Sequence, residues 1–75
     1  MNQVFVISVT VNDDGDHKSR QYGVNDVSEL DAKGTLERYL KDSGIEHSQE
    51  MKIRLASPGQ AMSLKLSGGS VRLLN

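Results

Sequence analysis

The sequence predicts a small two-layer α+β domain in the order β-β-α-β-β-β, with one helix packed on one face of a mainly antiparallel sheet. Three observations predict this class. Apolar, mostly β-branched residues alternate from Gln3 to Val11 with the period of a strand. One stretch, residues 28–43, has the apolar spacing of an amphipathic helix. Short alternating segments separated by glycine and proline fill the last third of the chain. The length of 75 residues is that of one domain, so we assign residues 1–75 to a single domain.

A β-hairpin is predicted at the amino-terminal end. One face of its first strand carries Phe5, Ile7, Val9 and Val11. The opposite face carries Val4 and Val6, so its first half is apolar on both sides. The run from Asn12 to Asp16 contains an Asp-Gly step, which is typical of tight hairpin turns. The second strand, Lys18 to Val24, is weakly apolar, and we expect it at an edge of the sheet.

The helix is predicted over Ser28 to Ser43. Its apolar stripe is expected to contain Leu30, Leu36, Tyr39 and Leu40. Ser28 and Asp31 have the spacing of a capping box, and Gly44 suits the left-handed position after the last turn. Gly34 lies inside the helix at a cost of about 1 kcal/mol relative to alanine. We interpret Gly34 as a point of close approach between helix and sheet.

The remaining residues are predicted to form a three-stranded antiparallel meander over 51–55, 62–66 and 71–73. Proline and glycine in Ser57-Pro58-Gly59-Gln60 indicate a type II turn between the first two strands. The two glycines of Ser67-Gly68-Gly69-Ser70 indicate a tight hairpin between the last two. The alternation directs every cation of this region away from the helix, because neighbouring residues of a strand point to opposite faces.

Charge is distributed unevenly along the chain. The formal net charge is −1, but residues 1–50 contain all ten acidic residues and five basic ones, a balance of −5. Residues 51–75 contain four basic residues and no acidic one, a balance of +4. These four cations are Lys52, Arg54, Lys65 and Arg72. With Val4 and Val6 they are expected to form the helix-free face of the sheet, which we take as the candidate binding surface.

No catalytic, metal or cofactor site is predicted. The chain has no cysteine, which excludes disulfides, thiolate nucleophiles and the usual zinc ligand sets, and favours a cytoplasmic location. His17 and His47 are far apart in sequence, and the carboxylates near His17 lack the spacing of a calcium loop. His47-Ser48 lies in a polar connection with no oxyanion hole or nucleophile elbow nearby. No apolar run reaches the roughly 18 residues of a membrane span.

These observations lead us to expect a small non-enzymatic accessory module, of the regulatory type found on phages and mobile elements. It would contact a protein partner, or a second copy of itself, through the helix-free face. One alternative is nucleic-acid binding through the same cations, although a pI near 6.0 and the lack of interleaved aromatic residues weaken it. A second alternative is an acidic surface that binds a basic protein. That surface would consist of Asp13, Asp14, Asp16, Asp26, Glu29 and Asp31.

Overall fold

The structure is a computed structural model that describes residues 1–75. It has an α+β fold of four antiparallel strands in one open sheet and two helices, which confirms the predicted fold class. In chain order the elements are β1 (Gln3–Asp13), β2 (Asp16–Asp26), α1 (Glu29–Asp42), β3 (Glu46–Leu55), α2 (Pro58–Leu64) and β4 (Val71–Leu73). The strand order in the sheet is β3-β1-β2-β4. Neither helix has the length and apolar character needed to cross a membrane.

The predicted hairpin is present and forms the centre of the sheet. β1 and β2 pair along their whole length, from Gln3 opposite Asp26 to Asp13 opposite Asp16. The two turn residues, Asp14 and Gly15, both have positive φ (51° and 87°), as a two-residue type I′ turn requires. β2 is interior only near Tyr22 to Val24, where β4 pairs with it, and its first half lies at the sheet edge.

Helix α1 packs on one face of the sheet and closes the main core. The core residues are Phe5, Ile7, Val9, Val11, Tyr22, Val24, Ala32, Leu36 and Leu40. The helix contributes Ala32, Leu36 and Leu40, which are four residues apart and therefore share a face. Leu30 was expected in this stripe, but it is two residues from Ala32 and so points the other way, 80% exposed.

Phe5 lies in the core as expected, but Tyr39, which was expected in the apolar stripe of α1, does not. Tyr22 is fully buried in the centre of the sheet, whereas Tyr39 of α1 is 40% exposed. The two rings meet edge to face with centroids 6.1 Å apart. Tyr39 therefore covers the rim of the core from outside.

The ends of α1 are as predicted. Ser28 is the N-cap, and its hydroxyl oxygen accepts a hydrogen bond from the Asp31 backbone N–H at 3.1 Å. Gly44 has a φ of 71°. The Ile45 N–H donates to the Leu40 carbonyl at 2.9 Å, so the helix ends in a Schellman motif.

The predicted meander is wrong, because residues 58–64 form helix α2 rather than part of a turn and a strand. Ser57 caps this helix by accepting from the Gln60 N–H at 3.3 Å, and Pro58 occupies the first turn, where its missing N–H costs nothing. The helix ends at Lys65, which is left-handed with a φ of 49°. β4 then pairs with β2, at the opposite edge of the sheet from β3.

Helix α2 and the segment after it cover part of the second sheet face. Gly23 is buried, and a Cβ atom there would lie 3.1 Å from Leu64 Cδ1 and 3.3 Å from Leu66 Cδ1. Val6, directly opposite Gly23 on β1, is only 1% exposed. The expectation that this face carries no helix is therefore wrong, and the molecule has three layers at this point.

Asn25 attaches the segment after α2 to the sheet. Its side-chain Nδ2 donates to the Leu66 carbonyl at 2.6 Å. Its backbone carbonyl accepts from the Gly69 N–H at 2.6 Å, and its backbone N–H donates to the Ser70 carbonyl at 3.2 Å. One residue of β2 thus holds both ends of the loop from residue 66 to residue 70.

Candidate binding surface

Three of the four predicted cations lie on the predicted face of the sheet. Cross-strand partners in the sheet share a face, and Arg54, Val6, Gly23 and Arg72 form one row across all four strands. Lys52 lies in the next row, opposite Ser8. Sequence alternation was sufficient to assign these side chains to one face because the sheet has no irregularity in these two rows.

Two members of the predicted surface are corrected by the structure. Lys65 is not a strand residue but the exposed C-cap of α2, since the segment around it does not join the sheet. Val6 is buried beside Gly23, under the segment that contains Leu64 and Leu66, so it is not available to a partner. Val4 is half-buried at the start of the same strand.

Both arginines of this face contact α2. Arg54 Nη1 is 3.4 Å from Gln60 Oε1 in the first half of the helix, and Arg72 Nη1 donates to the Leu64 carbonyl at 2.8 Å at its end. Three strand spacings separate Arg54 from Arg72, or about 14 Å. A seven-residue helix is about 10 Å long, so α2 lies across the strands between the two arginines.

The contact of Arg72 has a clear stabilising role. The last carbonyls of a helix have no partner within the helix, and they carry its partial negative charge. A guanidinium that donates to the Leu64 carbonyl satisfies one of these groups. The arginine of β4 therefore holds the end of α2 on the sheet.

None of the four cations has a carboxylate partner within 4.0 Å. The ion pairs of the molecule join Asp13 to Lys18 at 3.3 Å and to Arg20 at 3.4 Å, near the hairpin turn. The positive charge of the second face is thus not neutralised by ion pairs. It is divided by α2, however, and Lys52 is the only one of the four on the uncovered rows, beside Ser8 and Gln21.

The acidic residues do not form one surface. Asp13, Asp14 and Asp16 surround the hairpin turn, whereas Asp26, Glu29 and Asp31 lie at the other end of β2. Ten residues of extended chain separate the two groups by about 33 Å. A basic partner would therefore meet two separate acidic clusters at opposite ends of the molecule.

No group of three or more His, Asp or Glu side chains is arranged to hold a metal ion. His47 Nδ1 lies 2.8 Å from the neighbouring Ser48 carbonyl. His17 is opposite Asn12, whose Nδ2 donates to Glu46 Oε2 at 3.3 Å. Both histidines border a shallow polar groove at the hairpin end of the sheet.

The feature that sequence reasoning missed is the free edge of β3. This strand is ten residues long and has only β1 as a neighbour. The Ala56 N–H donates to the Val4 carbonyl at 2.8 Å, which fixes the phase of the β1–β3 ladder. By alternation, the backbone groups of Arg54 and Lys52 point toward β1, and those of Met51, Ile53 and Leu55 point outward.

The β3 edge therefore presents three N–H and three carbonyl groups in a row to solvent. The predicted meander would have covered this edge with residues 62–66. Since those residues form α2 on the sheet face, the edge stays open.

Comparison with known proteins adds no relative, because no family model, no curated protein and no solved structure matches the chain.

Proposed function

We propose that this chain is a non-enzymatic protein-binding module that binds a partner strand at the open β3 edge. The observation that carries the proposal is the row of outward backbone groups at Met51, Ile53 and Leu55 on a ten-residue edge strand. An exposed strand edge binds another extended chain through main-chain hydrogen bonds, while neighbouring side chains select the partner.

The side chains along the edge fit this role. Lys52 and Arg54 are exposed on the second face, and Leu55 is 53% exposed on the face that α1 covers. A bound strand would thus meet two cations on one side and an apolar side chain on the other. This is a smaller and more lateral surface than the sheet face predicted from the sequence, because Val6 is buried and Arg72 is bonded to α2.

Site-specific photocrosslinking tests the proposal. A photoreactive amino acid at Gln49, exposed on β3, should give a covalent adduct with a protein in cells that produce this chain. The matched control is the same group at Ser19, which is exposed on the opposite edge of the sheet. Adducts at Gln49 and not at Ser19 support the proposal that a partner binds at the β3 edge.

Equal labelling at both positions, or none at Gln49, would contradict binding at the β3 edge.

The nucleic-acid alternative has its own signature in a binding assay. Four phosphate contacts should give a log-log salt slope of about −3.6 on duplex DNA, because each contact releases condensed counterions.

A further inference from the structure

We infer that the occupant of the β3 edge is the β3 strand of a second copy of this chain, paired antiparallel about a twofold axis through Met51. The inference rests on the proposed function, since it names the partner for the same edge. A twofold contact requires a surface that is complementary to itself, and the charge order of β3 has this property.

Charge changes sign along the strand. Glu46 and Glu50 lie in its first half, and Lys52 and Arg54 lie in its second half. When two such strands run in opposite directions, the acidic half of each lies against the basic half of the other. A parallel arrangement would instead place like charges beside each other, which is unfavourable.

The backbone limits the possible registers. Only the groups of Met51, Ile53 and Leu55 point outward in the regular part of β3, so odd residues must pair with odd residues. The twofold axis must then pass between the two copies of one residue, so that this residue lies opposite its own copy. It does not relate two neighbouring positions of the strand. This condition also keeps the two sheets continuous, with the α1 face of one copy beside the α1 face of the other.

Charge selects one register among those centred at residues 50 to 53. With the axis at Met51, Glu50 lies opposite Lys52 of the second copy, and the same pair is repeated by symmetry. Arg54 then lies opposite Ser48 of the second copy, in diagonal reach of Glu46 and Glu50. An axis at Glu50 or at Lys52 would place that charged residue opposite its own copy, which opposes like charges.

An axis at Ile53 would place Lys52 opposite Arg54, which also opposes like charges. The Met51 register therefore gives two favourable pairs, whereas the registers centred at Glu50, Lys52 and Ile53 each give a repulsive one. A register centred at Gln49 lies in the irregular part of β3, between Met51 and His47, where the β1–β3 ladder does not fix the outward backbone groups. Its central pair also exchanges two backbone hydrogen bonds between the Met51 residues of the two copies. The result is one eight-stranded antiparallel sheet.

The competing interpretation is that β3 is protected against association, because charged residues and irregular pairing protect edge strands in many proteins. β3 has both features, with a register shift opposite Thr10. The two possibilities differ in solution mass. Sedimentation equilibrium should show a species of twice the 8.2 kDa chain mass as the concentration approaches about 1 mM. A protected edge gives a monomer over the same range.

Charge exchange tests the register. Glu50→Lys alone or Lys52→Glu alone should weaken the dimer about tenfold, because each creates two like-charge pairs across the axis. The double variant Glu50→Lys with Lys52→Glu should restore the wild-type dissociation constant to within about threefold. Lys65→Glu, which makes the same charge change at an exposed residue outside the strand, is the matched control and should leave it unchanged.

The outcomes separate the two proposals. A monomer at all concentrations with a Gln49 adduct to a different protein overturns the second-copy inference and leaves the β3 edge as a binding site. A monomer without a Gln49 adduct overturns both. A dimer that Lys52→Glu does not weaken, or that the double variant does not restore, overturns the register and with it the inference.

Discussion

Two glycines illustrate how single residues fit this fold. Gly23 lies under the leucines of the α2 segment, and an added Cβ would be 3.1 Å from Leu64 Cδ1. Gly34 was interpreted as a close approach of helix and sheet, but it is exposed and an added Cβ would meet no atom within 4 Å. The close approach occurs at Gly23, on the other side of the sheet.

Gly34→Ala should therefore stabilise the protein. Alanine is favoured over glycine inside a helix by about 1 kcal/mol, and Gly34 offers no steric obstacle. In a domain of this size the midpoint of thermal unfolding should rise by roughly 4–8 °C per kcal/mol. Calorimetry of the wild type and the variant measures the shift.

Gly23→Ala is the matched control, since it adds the same methyl group at a buried site. It should lower the midpoint, because the leucine side chains above it must move. A lower midpoint for Gly34→Ala would mean that the helix needs the glycine for a reason other than space.

At the level of elements, α2 is held by contacts at its end. The helix is only seven residues long, too short to be stable alone, so its position depends on packing and on the Arg72 bond to the Leu64 carbonyl. This gives Arg72 a structural role where the sequence had indicated a binding role.

Arg72→Met keeps an unbranched apolar stem similar to that of arginine and removes the guanidinium donor. We expect a loss of about 1 kcal/mol in the free energy of unfolding and faster amide hydrogen exchange in α2, at Ala61 and Lys65. Lys52→Met is the control, because Lys52 is exposed on the same face without a bond to α2. If exchange in α2 is the same in both variants, Arg72 does not hold the helix.

The elements that the sequence predicted correctly are those with local signals. The Asp-Gly step defines the hairpin, and Ser28 and Gly44 define the ends of α1. Helix α2 was missed because Met62, Leu64 and Leu66 alternate as in a strand, and because Ser57-Pro58 begins a helix and a turn equally well. Seven residues are too few for the helical period to be distinguished.

The candidate site depended on contacts distant in sequence, which no local pattern encodes. Alternation placed Lys52, Arg54 and Arg72 on one face, because a strand of known phase has only two faces. The burial of Val6 depends on a segment about sixty residues later in the chain. The open edge of β3 depends in turn on β4 pairing with β2 at the far side of the sheet.

For the whole molecule, the main asymmetry is between the two sheet edges. On the β2 side, β4 and the end of the chain cover residues 21–25 through hydrogen bonds that include Gln21 N–H to the Asn75 carbonyl. On the β3 side the outer backbone groups have no strand beside them. On the β2 side only residues 16–20 lack a neighbour, because β4 and the chain end cover the rest. A contact of β3 with β3 uses the same edge on both copies, so it gives a closed pair and not an open fibre.

A closed pair makes stability depend on protein concentration. Because dissociation accompanies unfolding, the thermal midpoint of the wild type should rise by a few degrees for each tenfold increase in concentration near the dissociation constant. Calorimetry over about 10 µM to 1 mM measures this rise, and added salt should reduce it, since the Glu50 and Lys52 pairs are exposed. In the Lys52→Glu variant, the increase of the thermal midpoint should begin at about tenfold higher protein concentration. In the double variant with Glu50→Lys, it should begin at the wild-type concentration again. A wild-type midpoint that is independent of concentration would show that the chain unfolds as a monomer and that β3 is not paired with a second copy.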